Sequence, residues 1–341
     1  MTKEVKQEHE PIPKPISIGC TLFREPLDCS NRGEHLLAWQ QLIDPLKGNK
    51  DTPFEIQYEP YYETGYWQDI VGLLNTNLPN LSVHSPIRCR DIASENASDY
   101  KFAVTETCRA MDLAHALNSQ VFVLHLTPHD NWEKRQEQLE RGLESLAELT
   151  DYKNKNGYGF QTLLETLEWP KSPSNLTETV SVLQRAKYID PNIGFCVDVA
   201  HLWHNLVWLS PEADRNVNFP EKLREYLNTT EKVAPIRRFH IGGSYIDLSR
   251  NGGVHQTHGV PGQYNAHNPG QLYYDSPPPD FNGIWMPVND VSAEIKKFIN
   301  KKGGRSGLKD TDIILEIHEV DMETQINGVN SMLNSINNPK L

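Results

Sequence analysis

The stretch Ile193-Gly194-Phe195-Cys196-Val197-Asp198-Val199-Ala200-His201 is an apolar run that stops at a carboxylate, with an imidazole three residues further on. Bounded by Pro191-Asn192, the run reads as a strand covered on both faces. An acid and a histidine at that spacing are metal-ligand types. The same event recurs: His84, His125, Glu165, Asp198, His240 and Glu316 each close, or nearly close, a short apolar segment. Asp and Glu number 45 and His 13 in 341 residues, about one residue in six. Six such endings by chance would have odds on the order of one in tens of thousands, before allowance for the choice of segments. The set mixes imidazoles with carboxylates and lacks thiolates, which suits Mn, Zn, Co or Fe better than a structural zinc knuckle. His201 lies just past the Asp198 segment, and His255 and His258 follow the His240 segment.

Each of these side chains also has an ordinary reading. A single histidine at a strand end is more often a hydrogen-bonded core residue than a ligand. His9, His35 and His115 read that way, while His129, His204, His267 and His318 are undecided. Glu165 competes with Glu168, and we prefer Glu165 because it directly ends the apolar run. Glu59 either touches substrate or is a solvated or salt-bridged acid. The Glu-rich run from Glu133 to Glu148 is a solvated helix face.

Something must bring the six endings together. Strands are expected at Ile16–Cys20, Phe54–Glu59, Leu81–His84, Ser119–His125, Gln161–Glu165, Ile193–Asp198, Ile236–Ile241 and Asp312–Ile317. Helical spacing covers Glu34–Leu46, Trp67–Leu74, Asp99–Leu117, Trp132–Leu149, Leu176–Tyr188, Pro220–Leu227, Val291–Asn300 and Met322–Ile336. Gly242 to Pro287 is a long loop rich in Gly, Pro, Asn, Tyr and His; loops this long in compact domains usually shape a site. Eight strands alternating with about eight helices predict an α/β fold, a single (β/α)8 barrel. A doubly wound open sheet is the alternative, but no strand is followed by a Gly-x-Gly-x-x-Gly fingerprint. Residues 1–15 read as a loose tail and 16–341 as one barrel domain.

Composition narrows the function classes. The formal net charge is -12, which argues against an open nucleic-acid-binding surface. The five cysteines are odd in number and include no Cys-x-x-Cys pair, so reduced structural thiols are expected. The polar start has no apolar signal-like region, and no run is long enough to span a membrane. A soluble cytoplasmic protein is expected. Asn96-Ala97-Ser98, Asn175-Leu176-Thr177 and Asn228-Thr229-Thr230 match the glycosylation pattern, which carries no meaning without a secretory signal.

Seven short motifs stand in one order: Val83-His84-Ser85-Pro86, Leu124-His125, Leu164-Glu165-Thr166, Val197-Asp198-Val199-Ala200-His201, Phe239-His240-Ile241, His258-Gly259-Val260-Pro261-Gly262 and Leu315-Glu316. In this the chain resembles the xylose isomerase-like TIM-barrel superfamily over roughly residues 16 to 336. That group includes sugar isomerases and epimerases and the endonuclease IV type of abasic-site endonuclease (AP endonuclease family 2). Likeness to the epimerases implies one central divalent metal held by Glu165, Asp198, His240 and Glu316. Likeness to the endonuclease implies that His84 and His125 join Glu165 around a second metal, and that His201 and His258 belong to a third. Gln256 stands where the endonuclease has an aspartate, and a neutral amide is a poorer ligand; His255 stands beside it. One to three divalent ions per chain are therefore expected.

The first expectation is a metal-dependent isomerase or epimerase, or a related lyase, acting on a sugar, polyol or hydroxy-ketone through an enediolate. Glu165 and Glu316 would be its acid–base pair. His255, Gln256, Glu59 and Arg88 are the expected substrate contacts. The alternative is a multinuclear phosphodiesterase of the endonuclease IV type. That activity needs basic residues at the mouth, for which Arg88, Arg90, Arg237 and Arg238 are the local candidates. A non-catalytic barrel is the third possibility. A sugar-like small molecule is the expected partner and nucleic acid the alternative; no membrane is expected, and a homo-oligomer is allowed.

Overall fold

A computed structural model of the chain describes residues 18–22, 32–44, 52–58, 64–78, 80–87, 91–127, 132–208, 218–247, 254–259, 283–306 and 311–316. The expected tail (1–15) and the expected last helix (Met322–Ile336) lie outside the described residues.

The strands are β1 (Ile18–Leu22), β2 (Phe54–Gln57), β3 (Leu81–His84), β4 (Val121–Leu124), β5 (Gln161–Glu165), β6 (Gly194–Asp198), β7 (Ile236–Ile241), β8 (Gly243–Asp247), β9 (Val254–Gly259), β10 (Gly283–Trp285) and β11 (Asp312–Leu315). The helices are α1 (Arg32–Ile43), α2 (Thr64–Asn77), α3 (Ala97–Ala116), α4 (Arg135–Lys155), α5 (Leu176–Ile189), α6 (Val199–Trp208), α7 (Phe219–Thr230) and α8 (Val288–Ser306). Eight strands close a barrel in the order β1-β11-β7-β6-β5-β4-β3-β2, and all the neighbouring pairs are parallel. This is the (β/α)8 barrel that the strand count predicts.

Alternation along each strand assigns the two faces. Outward residues such as Phe54, Val83, Phe122, Phe195 and Phe239 join the helices' Leu74, Met111, Leu146, Leu183 and Leu223 in one continuous buried cluster. Burying each of these large side chains contributes roughly 1.5–3 kcal/mol relative to leaving it exposed. Inside the barrel, Val123, Leu163 and Cys196 form a second, separate apolar cluster. Gly194 sits beside it, where a Cβ would lie 2.5 Å from Leu163 Cδ2 and displace that side chain.

Asparagines start three helices. The Asn96 side chain accepts from the Ser98 and Asp99 amides, Asn175 from Glu178 and Asn218 from Glu221, each satisfying amides that have no partner in the first turn. The first two glycosylation-type tripeptides are thus helix caps here. Asn228, in the third, donates to the Arg224 carbonyl within α7.

The fold departs from the sequence reading at several element ends, α4 running to Lys155 and α8 to Ser306 among them, and in three further respects. The helix α2 runs to Asn77, past the expected end, and the buried Leu78, whose amide donates to the Leu74 carbonyl, closes its last turn. A helix not expected at all, α6, begins at Val199, directly after β6. Asp198 serves two elements at once: it ends the strand, and its Oδ1 accepts from the His201 amide at 2.7 Å as an N-cap. The third departure corrects the long loop of 242–287, which contains a three-stranded antiparallel sheet in the order β10-β8-β9. Tyr245 pairs with Gln256 and Ile246 with His255, and Trp285 lies opposite Tyr245. Alternating residues in Gly243–Asp247 and Val254–Gly259 are enough for a hairpin, and β8 and β9 pack against α6, the helix that carries His201.

Candidate metal centre

Glu165 ends β5, Asp198 ends β6, His240 lies one residue before the end of β7, and Glu316 follows β11. In a parallel barrel these ends open on one face, the face where active sites sit. One ligand-type atom from each of the four lies within 4.8 Å of the others, and all four residues are buried. His240 Nδ1 is 3.1 Å from Glu165 Oε1 and 3.1 Å from Glu316 Oε2. Asp198 Oδ2 makes no hydrogen bond among the described residues although it is fully buried; His201 Nδ1 lies 3.6 Å from it.

Beside this group stands another. His84 Nε2 and His125 Nε2 reach Glu165 Oε2 at 2.9 and 3.0 Å. His84 Nδ1 lies 2.7 Å from the Ser85 carbonyl, an acceptor, so that nitrogen carries a proton. If His84 Nε2 also donates to Glu165, the ring is an imidazolium. Burial opposes that state, but contacts with Glu165 outweigh it and raise His84 to about 9. His125 shows the opposite result: burial wins and pushes it down to about 4. His201 Nδ1 lies 3.0 Å from the Thr166 carbonyl.

The electrostatics of the four-residue group differ from member to member. Burial pushes Asp198 up, and the neighbouring charges of Glu316 and Glu165 add to the rise, to about 8. Burial would also raise Glu165, yet His240 and His125 hold it well below the ordinary glutamate range. Against burial, the surrounding carboxylates raise His240 well above the usual histidine value. Three carboxylates and one imidazole are thus removed from water together, and Asp198 is the one whose charged form the surroundings disfavour. Buried charges of this kind are ordinarily paired or coordinate a metal. Three oxygen donors and one nitrogen fit a divalent Mn, Fe, Co or Zn ion.

The remaining sequence candidates fall in several places. Glu59 and Arg88 lie outside the described residues. His255, Gln256 and His258 fall on β9, whose backbone is described and whose side chains are not. Glu168 does not enter the group; it lies 3.4 Å from His204. His115 stacks on Tyr158 with ring centroids 4.6 Å apart. Arg238 is inside the barrel, not at its mouth: it is 2 % exposed and pairs with Glu55. Glu55 itself was missed in the sequence, where it sits between Phe54 and Ile56. Its signal was the alternation of β2, which turns residue 55 inward with residue 57.

The sequence model of a protein family described as xylose isomerase-like TIM barrel matches residues 46–269. The chain belongs to this family. No curated protein sequence matches the chain. Among solved structures, a D-tagatose 3-epimerase-like protein is similar at 17% identity and a TM-score of 0.57, covering 94% of this chain and 98% of the other. A D-psicose 3-epimerase from Clostridium cellulolyticum H10 is similar at 12% identity and a TM-score of 0.55, covering 94% and 98%. A 3-keto-D-glucoside 4-epimerase from E. coli is similar at 10% identity and a TM-score of 0.54, covering 94% and 99%. At these identities the likeness is one of fold. In this xylose isomerase-like barrel, no helix among the described residues is long and apolar enough to cross a membrane.

Proposed function

We propose that the protein is a divalent-metal-dependent isomerase or epimerase of a sugar, polyol or related hydroxy-ketone. One observation carries the reading: Glu165 and Glu316, from strands β5 and β11, bring carboxylate oxygens to the same nitrogen of His240, with Asp198 in the same buried group. Glu165, Asp198, His240 and Glu316 would hold the ion. Bound there, it would polarise a substrate carbonyl as a Lewis acid. Glu165 would take the proton from the carbon beside that carbonyl, leaving an enediolate, and Glu316 would return one from the opposite face. His84 and His125 orient Glu165 through its other oxygen, and burial of the group keeps bulk water from competing for the proton. The names of the similar structures, epimerases of D-psicose and of a 3-keto-D-glucoside, support this substrate class.

A second reading is favoured by the adjacent group of His84, His125 and Glu165, which could hold another ion and serve a phosphodiesterase. Against it, Arg238 is tied up inside the barrel and is not offered to a phosphate backbone.

Metal content per chain, measured without chelator or tag metal, together with solvent-deuterium incorporation into a panel of ketoses and polyols, tests both readings. About one ion per chain and deuterium at the carbon beside the carbonyl are expected. Two or three ions with cleavage of abasic DNA would transfer the assignment to the second reading. No ion, and none taken up from Mn, Zn, Co or Fe, would sink both.

A further inference from the structure

A buried ion pair lies directly beneath the candidate centre, and nothing in the proposed chemistry uses it. Glu55 on β2 and Arg238 on β7 are joined inside the barrel although three strand-to-strand steps (β2-β1-β11-β7) separate them around the wall. Arg238 Nη1 also donates to Ser82 Oγ, and Nη2 is 3.5 Å from Asp312 Oδ2. Ser82 Oγ lies 3.4 Å from Glu55 Oε2. These contacts fix one oxygen of Glu55. The other, Oε1, lies 2.9 Å from His240 Nε2. Neither atom has another hydrogen-bond partner among the described residues. His240 therefore faces the candidate ligands with Nδ1 and Glu55 with Nε2.

We propose that Glu55, anchored by Arg238, is a positioning residue for His240. It draws the ring proton to Nε2 and so leaves the Nδ1 lone pair directed at the space among Glu165, Asp198 and Glu316. A carboxylate on the far nitrogen of a metal-ligating imidazole fixes its tautomer and orientation and raises its basicity, and removing it typically lowers metal affinity 10–100-fold. A buried carboxylate opposite an arginine would by itself be only a structural pair. The contact with His240 is what separates the two roles.

The inference rests on the proposed metal reading, and its test keeps the two apart. Chelator-stripped full-length protein is titrated calorimetrically with Mn2+, Zn2+ and Co2+ separately, and the visible absorption of the Co2+ form is recorded. Glu55→Gln is expected to weaken binding about 10–100-fold and to shift the Co2+ spectrum. Glu55→Asp, which keeps the charge, should restore part of the affinity. If Glu55→Gln does not fold, Glu55→Gln/Arg238→Met removes both charges and is read in the same way. Leu223→Ala, in the apolar layer between the barrel and its helices, is the structural control and should leave affinity and spectrum unchanged. Wild-type affinity and spectrum in the Glu55 variants would overturn the inference while leaving the metal reading standing. A wild-type chain that binds none of the three ions overturns the reading and the inference together.

Discussion

The inside of the barrel has two unlike halves. Under β4, β5 and β6 it is apolar: Val123, Leu163 and Cys196 close on one another. Cys196 sits there as a protonated thiol, raised to about 12 chiefly by burial. Under β2, β3, β7 and β11 the same layer holds Glu55, Ser82, Arg238 and Asp312 joined by ion pairs and hydrogen bonds. Burial would raise Glu55, but the charges of His240 and Arg238 bring it down to about 2. An apolar layer fills a barrel at no electrostatic cost, so a barrel that needed only stability would have no use for the charged half. Replacing a buried pair with apolar groups is often neutral or stabilising. What the charged half adds is a fixed direction for His240. The apolar half instead lies along β5 and β6, the strands that end in Glu165 and Asp198.

The largest expected effect lies above both halves. Glu165→Gln or Asp198→Asn should lower turnover about 10³-fold or more, since each removes a group the proposed proton transfer or ion needs. Normal turnover in the double variant on the deuterium assay would dissolve the site assignment.

Breaking the charged half from one side is next. Arg238→Met leaves Glu55 buried beside His240 without its cation, and the metal-free chain should lose about 3–5 kcal/mol in urea unfolding. Adding Glu55→Gln should return much of that loss. If the single and double variants are equally destabilised, the pair is not the unit described here.

The apolar half should respond additively and without rescue. Leu163→Ala is expected to cost about 2–5 kcal/mol, scaled by the cavity left, and to combine additively with a distant core substitution such as Leu223→Ala.

The smallest effect is one of pH. Asp198, raised to about 8, holds a proton at pH 7, and an incoming cation must displace it. Affinity for Mn2+ should therefore rise with pH up to about 8, by about tenfold per unit, and the dependence should weaken above it. Calorimetry in two buffers of different ionisation enthalpy should show protons released at pH 7. No release would mean that Asp198 is already ionised and takes no part in the competition.

Much of the barrel was legible because its signals are local. A strand such as Gly194–Asp198 declares itself by an apolar run, and a helix such as α4 by its period. Helix α6 was not legible, since one residue, Asp198, closes the strand and caps the helix with no connecting loop to announce the change. The sheet within 242–287 was hidden by its Gly and Pro content.

By itself the sequence determined the eight strands and the ligand types at their carboxyl ends, because alternation and run length are properties of neighbouring residues. Only the tertiary structure decided which of those ends meet. Barrel closure brings Glu165, Asp198, His240 and Glu316 within 4.8 Å, while Glu168 turns aside to His204. It also decided the fate of Glu55 and Arg238, which lie 183 residues apart in the chain. Their contact exists only because the strands that bear them face each other across a closed barrel, and no local pattern encodes that distance.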